Sequence, residues 1–142
     1  MMLQPKQIQI ERFSLFYKDI SIISGASMKH ASAPLQLYKT FSYQNPPVIG
    51  DKVGFQVHIE EGVYLLYILG SPSTNRGIIA IEVDDLEQGR IDWYSPIFYY
   101  NITRVIPFVI ITNGMHTINF KTVGKNSASS SYFSVITKIW IK

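Results

Sequence analysis

Three histidines, His30, His58 and His116, are the residues best suited to proton transfer or metal ligation, and no two stand at a spacing that would bring them to one ion. A zinc site wants HxH or HxxxH pairs or cysteine partners, and the chain has no cysteine. His58 falls on the polar side of an alternating stretch and His116 just past an expected turn, where an imidazole is a surface or hydrogen-bonded group. The paired acids Glu60-Glu61 and Asp84-Asp85 also sit at expected turns. Carboxylates acting as acid and base must converge across a cleft about 5 to 10 Å wide, and neighbours on a strand point apart. Asp84 and Asp85 could ligate calcium from a loop, but turn chemistry accounts for both. Ser127, Ser129, Ser130 and Ser131 lie in no GxSxG elbow and read as a flexible loop. Neither GxxxxGK(S/T) nor GxGxxG occurs, and Asn101-Ile102-Thr103 reads as a chance glycosylation tripeptide. The expectation is a protein with no catalytic residues, no cofactor and no metal.

The unusual residues are aromatic. The chain has nine Tyr, eight Phe and two Trp. Trp93 and Tyr94 close a short expected strand, and Tyr99 and Tyr100 follow a loop, all at positions that look exposed. Flat rings at loop mouths stack on sugar faces, anchor a protein interface, or plug the open end of a sandwich. If Tyr99 and Tyr100 are on a strand, one of them must face inward.

Strands must position these rings, because the apolar residues recur with period two. Val53, Phe55, Val57 and Ile59 share one face, with Gly54, Gln56, His58 and Glu60 opposite. Near the end of the chain Phe133, Val135, Ile139 and Ile141 share a side and leave Ser134, Lys138 and Lys142 opposite. Only a strand alternates its side chains in this way, and two such ribbons imply facing sheets with a shared core. Further strands are expected over Val63 to Gly70, apolar on both faces and so central, and over Ile78 to Asp84 and Arg90 to Tyr94. Tyr99 to Ile111 is expected to be bent or broken at Pro107. In Met115 to Val123, Ile118 and Phe120 face in while Asn119 and Lys121 face out. Glu61-Gly62 and Asn113-Gly114 read as hairpin turns, and Asn45-Pro46-Pro47 with Gly50-Asp51 as a sharp turn that opens the regular body. About eight strands without a crossover helix match an all-β, antiparallel β-sandwich of jelly-roll type. Residues 1–50 are expected to form a less regular N-terminal arm with the first strands, and residues 51–142 the sandwich.

The 142 residues give room for one domain, and 46% apolar with only 16% charged residues argues against disorder. So low a charge density leaves apolar surface for another subunit to cover. A net charge of +3 with scattered Lys and Arg predicts no nucleic-acid partner. No apolar run approaches the roughly 20 residues of a membrane span, and Met1 to Ile10 lacks the apolar core of a signal peptide, so neither membrane nor export is expected.

From Lys52 to Lys142 the chain resembles a small β-sandwich module of bacteriophage virion proteins, of the tail-fibre-tip and capsid-decoration or cement type. The resemblance rests on Thr74-Asn75-Arg76-Gly77, on Asp92-Trp93-Tyr94-Ser95, on Gly114-Met115-His116-Thr117, and on Gly124-Lys125-Asn126-Ser127 through Thr137-Lys138-Ile139-Trp140. It implies a non-enzymatic structural virion protein located in the virion, a homotrimer in contact with other virion proteins such as the major capsid protein. A carbohydrate-binding module recognising host surface glycans is the alternative, and in either role Trp93, Tyr94, Tyr99, Tyr100 and Asn126 are the expected contact residues. The pattern carries a compact Asp-Gly turn after the strand at Ile78 to Val83, where this chain reads as a longer loop from Asp84 to Gly89.

Overall fold

A computed structural model describes the backbone of residues 21–24, 28–31 and 40–43, and residues 48–142 apart from the side chains of Val53, Phe55, Thr137 and Lys138. Most of the expected N-terminal arm, the side chain of His30, the Asn45-Pro46-Pro47 turn and the inward placement of Val53 and Phe55 lie outside the described residues.

The fold is an all-β sandwich. Ten strands occur among the described residues: β1 (Ser21–Ser24), β2 (Met28–Ala31), β3 (Thr40–Tyr43), β4 (Lys52–Ile59), β5 (Gly62–Gly70), β6 (Ile78–Val83), β7 (Leu86–Asp92), β8 (Ile102–Ile110), β9 (Gly114–Gly124) and β10 (Val135–Ile141). One sheet has the order β1-β4-β9-β6-β7 and the other β2-β3-β10-β5-β8, with antiparallel pairing throughout. Seven strands therefore form the body from Lys52 onward, and β1 to β3 extend the two sheets at one side. The inner faces meet in a core of Ile59, Tyr64, Leu66, Ile68, Ile79, Ile81, Ile118, Phe120, Ile139, Ile141 and others, with Val57 packed against it.

Local turn signals misplace two connections. Asn113-Gly114 and Glu61-Gly62 both read as hairpins, but β8 and β9 lie in different sheets, as do β4 and β5. Each link carries the chain across the sandwich, and Glu61 N donates to Asn113 Oδ1 at 2.7 Å to tie the two crossings together. The real two-residue hairpin is Asp84-Asp85, where Val83 pairs with Leu86. Both residues have positive φ, 50° and 66°, which matches the twist of the flanking strands. The loop expected from Asp84 to Gly89 is therefore a compact turn followed at once by β7.

Three strands also differ from expectation. β5 is central, between β10 and β8, but only Tyr64, Leu66 and Ile68 reach the core; Val63, Leu65, Tyr67 and Leu69 are half-buried on the outer face. There Tyr67 stacks on Trp140 at 5.2 Å. In β10 the pairing shifts between Ile136 and Lys138, so Ile136 and Ile139 both point inward at 1% exposure although their spacing is odd. Asn119 faces out yet is 2% exposed; it lies over Gly54, where a Cβ would come within 2.1 Å of Asn119 Oδ1.

β8 runs unbroken through Pro107, which sits opposite Leu65. Leu65 exchanges both its backbone hydrogen bonds with Lys142 of the terminal segment beside β10, so the Leu65–Pro107 pair needs no ladder bond and the proline nitrogen faces the outer side of β8, the last strand of its sheet among the described residues.

Candidate functional site

The two ends of the sandwich differ in build. At one end the connections are Glu60-Glu61, Asp84-Asp85 and residues 111–113. At the other, three long loops, Ser71 to Gly77, Trp93 to Asn101 and Lys125 to Ser134, are knitted together by backbone bonds. Ser95 N donates to Ser73 O at 3.0 Å, Tyr99 N to Pro72 O at 3.1 Å, Ser130 N to Thr74 O at 3.0 Å and Phe133 N to Asn75 O at 3.1 Å.

Arg76 anchors this end from inside. It is 7% exposed, and its Nε donates to Ser71 O at 2.8 Å while Nη1 donates to Asn75 Oδ1. Burial pushes its guanidinium down to about 10. The serine-rich loop closes over it: Ser129 is buried and its hydroxyl donates to Arg76 O at 2.7 Å. That loop is packed rather than flexible, because its polar groups find partners within the end of the sandwich.

The expected contact residues separate into three groups. Trp93 is 1% exposed and belongs to the core, so it is not a surface ring. Its indole fills the space that the missing side chain of Gly70 leaves, where a Cβ would lie 2.7 Å from Cη2. Asn126 is spent on the loops: Nδ2 donates to Asp92 Oδ2 at 3.1 Å and Oδ1 accepts from Ala128 N at 3.0 Å. Asp92 Oδ1 in turn accepts from Tyr94 N at 2.9 Å, which fixes the exit of β7 and aims the Tyr94 ring. Tyr94 and Tyr99 are brought together in a cleft of about 250 Å³, lined also by Pro72, Ser95, Pro96, Ile102 and Arg104. Tyr100 packs edge-on against Phe98 at 4.5 Å beside that cleft rather than in it.

Arg104 is the residue the sequence reading passed over. It occupies β8 opposite Ile68, a core-facing register position at the strand's start, and its guanidinium lies 5.8 Å above the Trp93 ring. Its Nη1 makes a long hydrogen bond to Thr103 O at 3.4 Å, and no ion pair among the described residues involves it. A sequence signal was available: from residue 93 to the end there is no Asp or Glu, against Arg104, Lys121, Lys125, Lys138 and Lys142.

A second groove, of about 330 Å³, opens at the short-turn end among Val83, Leu86, Val109, Ile110 and Ile111, with Asp84 and His116 on its wall. Its two ionisable groups are committed to each other. His116, 7% exposed, holds Nδ1 at 2.6 Å from Asp84 Oδ2 and Nε2 at 2.8 Å from Thr112 O. Both partners are acceptors, so both ring nitrogens must carry a proton. The Asp84 hydrogen bond raises the His116 pKa above its ordinary 6.5 against the cost of burial. Asp84 shifts below its ordinary 3.8: its burial opposes the shift and is outweighed by the bonds from His116 and Thr117 N. Asp85 points to solvent, 4.0 Å from Lys52. Among the described residues no three His, Asp or Glu side chains converge as metal ligands would.

A raised histidine stabilises the fold below its unfolded value and loses that contribution as pH climbs through the folded one; a lowered aspartate contributes above its unfolded value and loses it on acidification. The clamp is therefore complete between about pH 4 and 6.5. Thermal midpoints should peak in that window and decline toward pH 8. In His116→Gln the decline should vanish, and an unchanged slope in that variant would remove the clamp as its cause.

No family model matches the chain, and no curated protein matches it. Solved structures do. The chain is similar to a xanthan lyase from Paenibacillus, with a TM-score of 0.76 and 18% identity over 90% of this chain, which spans only 13% of the lyase. It is also similar to a family 35 carbohydrate binding module from an environmental isolate, with a TM-score of 0.64 and 12% identity, covering 92% of each chain. A third is the carbohydrate-binding module CBM36 in complex with calcium and xylotriose, with a TM-score of 0.57 and 11% identity over 91% of this chain and 97% of that one. These likenesses identify the fold as the jelly-roll β-sandwich of such modules. None of the three is a virion protein, and the trimer and capsid contacts expected from the resemblance draw no support from them.

Proposed function

We propose that this chain is a non-enzymatic carbohydrate-binding module that grips a sugar chain in the cleft of Tyr94 and Tyr99. The observation that carries the reading is this cleft itself, with two tyrosines held at the long-loop end of a sandwich whose shape is shared with free-standing carbohydrate-binding modules. A pyranose ring offers an apolar C–H face and a rim of hydroxyls, and a tyrosine offers a flat ring with a polar tip, so the two surfaces are complementary. The long-loop architecture supports the reading as well, since a rigid scaffold that presents knitted loops binds with little ordering cost. The aliphatic groove at the other end has no tyrosine or tryptophan to stack a sugar, and its Asp84 and His116 are bonded to each other.

Retardation of the protein in gels containing soluble plant and bacterial polysaccharides tests this. The protein should be slowed by at least one of them, and Tyr99→Ala, whose ring is 48% exposed, should weaken that binding about tenfold, the loss of one stacking contact, with the thermal midpoint unchanged. Retention equal to wild type in both Tyr94→Ala and Tyr99→Ala would move the site elsewhere.

A further inference from the structure

We infer that the cleft selects sugars bearing a carboxylate, with Arg104 as the residue that reads the charge; this rests on the carbohydrate-binding reading above. Arg104 lines the cleft with Tyr94 and Tyr99 and is exposed. It has no acidic partner among the described residues. The nearest acid in the sequence on that side, Asp92, has both oxygens occupied by Tyr94 N and Asn126 Nδ2. Most exposed arginines cover an acid or wave in solvent; this one is held over the Trp93 ring at 5.8 Å, which orients the planar guanidinium and restricts its rotamers before any ligand arrives. A guanidinium so placed presents paired N–H donors that match the two oxygens of a carboxylate. The rings on the same cleft would stack the sugar that carries it.

Long-range charge agrees. The long-loop end carries Arg76, Arg104 and Lys125 against Asp51 and Asp92, both engaged in local hydrogen bonds, while the acids Glu60, Glu61, Asp84 and Asp85 stand at the opposite turns against His116. An anionic polymer approaching the sandwich is thereby drawn toward the cleft and repelled from the far end.

Polygalacturonate and the same polymer with its carboxyl groups reduced to alcohols form a matched pair for the test, with dextran sulfate as a third polymer. The wild-type protein should bind polygalacturonate at least about tenfold more tightly than the reduced form, the gain from one charge-assisted bidentate contact. Arg104→Gln should erase that difference, because binding to polygalacturonate falls about tenfold further than binding to the reduced polymer, and Arg104→Lys should restore it in part. Thermal midpoints of both variants show that the fold is intact. Equal binding of the two galacturonate forms by wild type would overturn the charge selection and leave the sugar cleft standing. Binding of dextran sulfate as tight as polygalacturonate, unaffected by Arg104→Gln, would also overturn it, in favour of ion exchange by the basic end. Binding to none of the three polymers, or to any other polysaccharide, would bring down both readings together.

Discussion

Ile139→Asp is expected to yield a chain with no cooperative unfolding transition. Ile139 is 1% exposed, sits mid-strand in β10 opposite Ile68, and belongs to the largely aliphatic core. Taking an unpaired carboxylate into such a site costs several kcal/mol even after relaxation, and removal of the isoleucine packing adds a further 2–5 kcal/mol or so. A domain of this size has only about 5–15 kcal/mol in total. Circular dichroism with urea titration checks it, beside Ile139→Val, which should cost about 1 kcal/mol. A sigmoidal Ile139→Asp transition near that of wild type would mean that β10 does not face the core at this position.

Trp93→Ala is expected to be the second most damaging change, at about 3–5 kcal/mol. The indole is among the largest fully buried side chains, fits against Gly70 and supports the Arg104 guanidinium. Its Nε1 has no hydrogen-bond partner among the described residues, so removal orphans no acceptor among them, and the cost is that of the cavity with the lost Arg104 contact. The urea midpoint should fall accordingly, whereas Tyr99→Ala should leave it in place and lower only sugar binding. The pair of variants separates a core aromatic from a ligand-facing one. Loss of sugar binding at unchanged stability in Trp93→Ala would reverse the assignment.

That reversal of roles shows where the sequence was legible and where it was not. The alternation of Val57 and Ile59, or of Ile118 and Phe120, reports burial directly, since each strand has one core face. From it follow the sandwich and most of its inward residues. Partner choice is not local. Asn113-Gly114 has hairpin chemistry, yet it ends up carrying the chain to the other sheet, because a turn residue fixes backbone dihedrals and not the strand that the next segment will pair with. The parity of β10 was misread at Ile136 because a bulge inserts one residue without any composition mark. Trp93 and Tyr94 are adjacent, and sequence position alone could not say which ring goes into the core; the glycine that makes room for the indole, Gly70, is 23 residues away in the chain. Tyr94 and Tyr99 were visible as candidates; for their cleft partner Arg104 the acid-free stretch from residue 93 onward was a signal, but its place beside the rings becomes plain only in the fold.

The proline in β8 has a consequence for how copies of this protein meet. An outermost strand offers its free amides and carbonyls as a template, and neighbouring molecules in crowded solution polymerise by extending one another's sheets. Pro107 turns a nitrogen without hydrogen toward that rim, midway along the strand, so an incoming strand finds its row of hydrogen bonds interrupted at the centre. Copies of the molecule crowded together are thereby kept from seeding a fibre along this flank.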